Sequence, residues 1–93
     1  MAQPNPDHII NRAAAHYGYV PRELTDYAKF PEIAKARSAA YLAGRIAGFN
    51  NSAIARAMHR HPSTVSICVR RAVTMATRDP EFAQACAIIA KGK

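Results

Sequence analysis

Five of the six prolines in this 93-residue chain stand where a helix would begin, and they partition the sequence before any other residue is considered. A proline at the first helical position loses nothing, because the N–H it lacks has no intrahelical partner there and its fixed φ already suits the helix. Pro6, Pro21, Pro31, Pro62 and Pro80 each introduce a run in which apolar residues recur three and four apart. That is the period of a helix with one buried face. No segment shows the alternating β-branched pattern of a half-buried strand. The chain therefore reads as all-α, a compact bundle of five to six helices. Residues 6–91 form one domain behind a leader of residues 1–5 that is expected to fray.

The first helix is expected from Pro6 or Asp7 to Tyr17, with Ile9, Ile10, Ala13, Ala14 and Tyr17 on one face and Gly18 as its stop. Pro21 opens a short helical turn over Arg22 to Asp26. Pro31 and Glu32 open a longer helix that ends before Gly48. Its apolar face holds Ile33, Ala36, Ala40, Ala43 and Ala47, with Ala39, Leu42 and Ile46 beside them. So many alanines imply close helix-helix approach. Near the other end, Asp79-Pro80-Glu81 combines a cap, a proline and a first-turn acid. The final helix then carries Phe82, Ala85, Cys86 and Ile89 and stops near Gly92.

Asn51 to Ala72 is the segment with functional content. A short helix capped by Asn51 or Ser52 would bury Ile54, Ala55 and Met58 and break at His59 to His61. A second would start near Pro62-Ser63-Thr64 and bury Val65, Cys68, Val69, Ala72, Val73 and Ala76. Two short-linked helices of this kind predict a helix-turn-helix, whose second helix enters the major groove with its first turns on base edges. Ser63 and Thr64 would contact phosphate, cap the helix or reach a base, with Ser66, Ile67 and Arg70 on the same exposed strip. Ile67 would either meet a thymine methyl or pack on a neighbouring helix. Arg60 and His61 in the turn, and Arg70 and Arg71 farther along, suit guanine edges or phosphates, phosphate being the commoner partner of an arginine. His59 sits where such turns often use glycine and is expected to be left-handed.

Charge supports the same reading. The formal net charge is +7, and all six acidic residues lie outside residues 33–78, a span that holds Lys35, Arg37, Arg45, Arg56, Arg60, Arg70, Arg71 and Arg78. A positive field so placed attracts a polyanion. Cys68 and Cys86 lack the spacing of a redox or zinc motif, and His59, His61 and Cys68 match no zinc pattern, so neither metal nor cofactor is expected. No catalytic constellation is present in the sequence, and the chain is not expected to be an enzyme. Tyr17, Tyr19, Tyr27, Phe30 and Tyr41 are expected in the core rather than as a base-stacking surface. No apolar run approaches a membrane span and no signal peptide is written at the start, so a cytoplasmic, nucleoid-associated location is expected.

The residues IARAMHRHPSTVS resemble many helix-turn-helix segments, and the residues ahead of them are more discriminating. IINRAAAHYGYVPRELTDYAKFPEIAKARSAAYLAGRI resembles the entry to the C-terminal DNA-binding domain (domain IV) of the bacterial replication initiator DnaA, a fold shared in outline with Trp-repressor-like domains. Ala39, Tyr41 and Leu42 match a family helix written roughly aRqiAmyL, and the likeness continues through Ile54, Thr64, Val65, Arg70 and Arg71. The family's reader begins GGRDHTTV. Arg60, Thr64 and Val65 keep that pattern, whereas its Asp and His are replaced by His61 and Pro62, which implies a different base specificity. The family's arginine on the long helix falls at Ala36, leaving Arg37 one residue later and Lys35 one earlier, with a shifted minor-groove or phosphate role. No GxxxxGK[ST] loop is present, so nucleotide-driven origin opening does not reside in this chain.

The expected function is double-stranded DNA binding through Lys35, Arg37, Asn51, Ser52, Arg60, His61, Pro62, Ser63, Thr64, Ser66, Ile67, Arg70 and Arg71. A bacterial or phage transcription regulator, or the DNA-binding part of one, is the first reading, with RNA polymerase or other regulators as further partners. The alternatives are an accessory protein of a replication origin and a basic module that grips an acidic protein.

Overall fold

Helix boundaries fall where cap chemistry puts them. The computed structural model describes residues 5–26 and 31–92. Six helices follow one another: α1 Pro6–Tyr17, α2 Pro21–Thr25, α3 Pro31–Ile46, α4 Asn51–Met58, α5 Pro62–Arg78 and α6 Pro80–Lys91. Asn5 caps α1, its side-chain oxygen accepting from the Asp7 N–H at 2.8 Å. Asp79 caps α6 by accepting from the N–H groups of Glu81 and Phe82. Glu23 reaches back to the Val20 N–H at 2.9 Å and closes the start of α2.

Three helices end in the same way. Gly18, Gly48 and His59 all have positive φ. The residue after each returns its N–H to a carbonyl five positions back: Tyr19 to Ala14, Phe49 to Gly44 and Arg60 to Ala55, at 2.8, 3.0 and 2.8 Å. This left-handed closure satisfies carbonyls that a helix end otherwise leaves orphaned. Glycine performs it without strain at the first two ends; a histidine must do so at the third.

The bundle is all-α, with no strand among the described residues. α3 lies at its centre and packs on α1, α5 and α6. Ala36, Ala39, Ala40 and Ala43 are buried along it, and these small side chains let neighbouring backbones approach. Gly44 continues the stripe: a Cβ there would stand 2.9 Å from Ile54 Cδ1, so the approach of α4 requires glycine's missing side chain. Leu24, Met58, Val65, Phe82, Cys86 and Ile89 fill the interior. Burying each large side chain of this kind stabilises the fold by about 1.5–3 kcal/mol relative to exposure.

Three expected core positions are not in the core. Val73 is 46% exposed and Ile46 54%, and Ala47 is exposed as well. Each residue turns a helix by about 100°, so Val73 lies about 80° round α5 from Val65, beyond the arc its neighbours cover. Ile46 and Ala47 fall at the end of α3, where the chain leaves the bundle. Tyr41 is buried, and Tyr17 and Tyr19 pack against the core, as aromatic residues of a small bundle should. Tyr27, Phe30 and most of the expected leader lie outside the described residues. No helix among the described residues is long and apolar enough to cross a membrane.

Candidate nucleic-acid interface

α4 and α5 are joined by the three residues 59–61, and each end of this connection is set locally. Asn50, not Asn51 or Ser52, caps α4: its side-chain oxygen accepts from the Ala53 N–H at 2.8 Å. Two adjacent asparagines and a serine are all good caps, and only the path of the incoming chain selects among them. Asn51 becomes the first helical residue, with its Oδ1 buried and without a hydrogen-bond partner among the described residues; Ser52 is exposed. His59 has φ 56° and ψ 48°, the left-handed conformation expected of it.

His61 is the cap of α5, a role that was one of three left open from sequence for Ser63 and Thr64. Its Nδ1 accepts from the Ser63 N–H at 3.2 Å and lies 2.7 Å from the Ser63 hydroxyl. Pro62 then occupies the first helical position. The first turn of α5 leaves His61, Pro62, Ser63 and Thr64 exposed at the end where helical N–H groups favour an anion.

The outer face of α5 is continuous. Ser63, Thr64, Ile67, Arg70, Arg71, Thr74 and Arg78 are exposed, whereas Val65 and Ala72 on the opposite side are buried. Ser66 is half-buried and stands at the edge of this face rather than on it. Among the described residues neither Arg70 nor Arg71 has an ion pair or a side-chain hydrogen bond, and the face bears no carboxylate. Thr74 and Arg78 extend the strip beyond the residues expected from sequence; their helical register was the available signal.

Arg37 and Arg60 are placed otherwise. Arg37 donates to the carbonyls of Leu24 at 2.8 Å and Glu23 at 2.9 Å, and also to that of Asp26. Arg60 donates to Thr25 O at 2.9 Å and Asp26 O at 2.8 Å, with additional bonds to Met58 O and His59 O. The Arg22 carbonyl accepts from the Asp26 N–H. Every carbonyl from Arg22 to Asp26 therefore has a donor, and the two guanidiniums cap the negative end of α2. Burial, with Arg60 as a like charge nearby, lowers the pKa of Arg37 from its ordinary value. Tyr41 lies beside the pair. Burial and the adjacent Cys68 push its hydroxyl up, and the two arginines pull it the other way.

Arg37 and Arg60 thus direct guanidinium N–H groups to the end of α2, a structural role beside the DNA contact expected of them from sequence. Lys35 also has a protein partner, its ammonium 3.6 Å from the Asp79 carboxylate, an exposed pair that stabilises little. Arg12 and Arg45 donate to the carbonyls of Ile89 and Phe49. Among the described residues Arg12, Arg37 and Arg60 therefore close helix ends, and α5 alone carries three exposed arginines, Arg70, Arg71 and Arg78.

Among the described residues no cluster of three or more histidine, cysteine or carboxylate side chains is arranged to hold a metal. No protein-family model, curated protein or solved structure matches the chain. The resemblance to the initiator domain accordingly rests on its quoted residues. Tyr41, Leu42, Ile54 and Val65 of that set are buried, while Thr64, Arg70 and Arg71 are exposed.

Proposed function

We propose that this chain binds double-stranded DNA, with α4, the turn 59–61 and α5 acting as a helix-turn-helix and the outer face of α5 lying in the major groove. Its role is that of a transcription regulator or the DNA-binding part of one. The observation that carries this reading is the acid-free outer face of α5, with hydroxyls at the N-terminal end and Arg70, Arg71 and Arg78 farther along. A helix N-terminus and flanking arginines suit phosphates, and the side chains between them suit base edges. The resemblance to the initiator domain also supports an origin-binding accessory role, in which the same face meets a repeated site.

Selection of bound sequences from random duplexes, followed by affinity measurements across salt, tests the proposal. A defined motif is expected. Three α5 arginines on phosphates would contribute about −3 to the slope of log affinity against log salt. Equal affinity for all duplexes would refute a sequence reader. Binding to no duplex would refute DNA binding altogether and favour the acidic-protein alternative.

A further inference from the structure

We infer that Ile67 is a specificity-determining residue that reads the 5-methyl group of a thymine in the major groove; this rests on the DNA-binding reading above. Ile67 is 50% exposed, so it is not held by packing on a neighbouring helix. It lies at the middle of the outer face of α5, about 160° round the helix from buried Val65. Arg70 and Arg71 follow one turn later, displaced about 60° to one side of Ile67 and about 40° to the other. An apolar tip is thus centred between two cations, with Ser63 one turn before it and Thr74 two turns beyond.

Each part of that arrangement matches a different part of a duplex. The cations flank the axis of the face, as the phosphate walls flank a groove, and the isoleucine is aimed between them at the floor. The thymine methyl is the apolar feature that major-groove base edges present, and the minor groove offers none. An isoleucine has no donor or acceptor with which to read anything else. A protein partner fits less well, because one apolar side chain ringed by hydroxyls and arginines lacks the contiguous apolar centre of a protein interface.

Replacing thymine by deoxyuridine deletes this methyl while keeping every base-pairing group, which makes the test direct. In the duplex selected by the full chain, each thymine is replaced in turn and dissociation constants are measured at fixed salt. Removing one methyl from an apolar contact is expected to weaken binding about fourfold at one or two positions. Ile67→Ala should bind the parent duplex correspondingly less well and lose the deoxyuridine penalty at those same positions. Ile67→Val, which keeps methyl groups at the tip, should retain part of it. Because Ile67 is exposed, an unchanged unfolding midpoint is expected for both variants and checks that the fold is intact. Penalties that persist in Ile67→Ala, or sequence-selective binding with no penalty anywhere, would overturn the assignment and leave DNA binding standing. Failure to select any duplex would instead overturn the DNA reading itself, and this assignment with it.

Discussion

Replacing Arg60 distinguishes a structural clasp from a DNA contact. In the folded chain its guanidinium joins the turn between α4 and α5 to the end of α2 through Thr25 O at 2.9 Å and Asp26 O at 2.8 Å. Its bonds to Met58 O and His59 O are local and add less. Hydrogen bonds from a charged donor contribute about 1.5–3 kcal/mol each when well shielded. Arg60 is only half-buried and water can replace part of what is lost, so Arg60→Met should destabilise by about 2 kcal/mol in total. For a domain of this length, with a stability of roughly 5–14 kcal/mol, that is a substantial fraction. At a urea dependence of about 1–1.5 kcal/mol per molar, the unfolding midpoint should fall by between about 1 and 2 M. Arg60→Lys keeps the charge but offers one compact ammonium in place of a fork, and should recover less than half of the loss. Urea unfolding followed by circular dichroism measures both variants. Wild-type midpoints for both, combined with lost DNA affinity, would refute the clasp and return Arg60 to the interface.

Three other outcomes follow from local geometry. His59→Gly should raise stability by about 0.5–1 kcal/mol, and His59→Val should lower it by more than 1 kcal/mol, because the left-handed backbone strains any Cβ and a branched one most; thermal unfolding of the pair tests the sign. Gly44→Ala gains helix propensity but meets Ile54 Cδ1 at 2.9 Å, and should destabilise by about 1 kcal/mol net. Ile54→Val removes Cδ1, the nearer of two crowding atoms, and keeps Cγ1 at 3.0 Å, so the double variant should be somewhat more stable than the two single losses sum to, and simple additivity would count against the Cδ1 contact. Burial pushes the Cys86 thiol up to about 11. At pH 8 it stays protonated, with a reactive thiolate fraction on the order of a thousandth. Modification of Cys86 by a thiol reagent should therefore follow global unfolding in urea, and rapid labelling of the native protein would show that the site opens.

Elements governed by neighbours close in sequence were legible in advance. Asp79 and the prolines act within one turn, so the starts of α1 and α6 could be read from them, as could the stops at Gly18 and Gly92, whereas Asn5, assigned to a fraying leader, is the cap of α1. The left-handed His59 was legible for the same reason. The cap of α4 was placed one or two residues late because three consecutive residues can all cap. That of α5 was missed because histidine is an uncommon cap. Val73 and Ile46 match the helical period but fall outside the arc that other helices cover, and periodicity gives a direction without saying how wide the cover is.

Charge shows the division most sharply. Composition determined that the chain is strongly basic, and residue order that its acids avoid residues 33–78. Which cations face outward was a tertiary decision. Arg37 finds its carbonyls 11 to 14 residues away, and Arg60 finds the end of α2 at separations of 34 and 35. A long flexible side chain carries no local mark of such partners, whereas a cap, a proline or a helical stripe acts over a few residues. The sequence therefore determined the helices and those ends that a single local cap or glycine sets. Packing then decided that Arg37 and Arg60 close the end of α2 while Arg70 and Arg71 remain on the outer face of α5 beside Ile67.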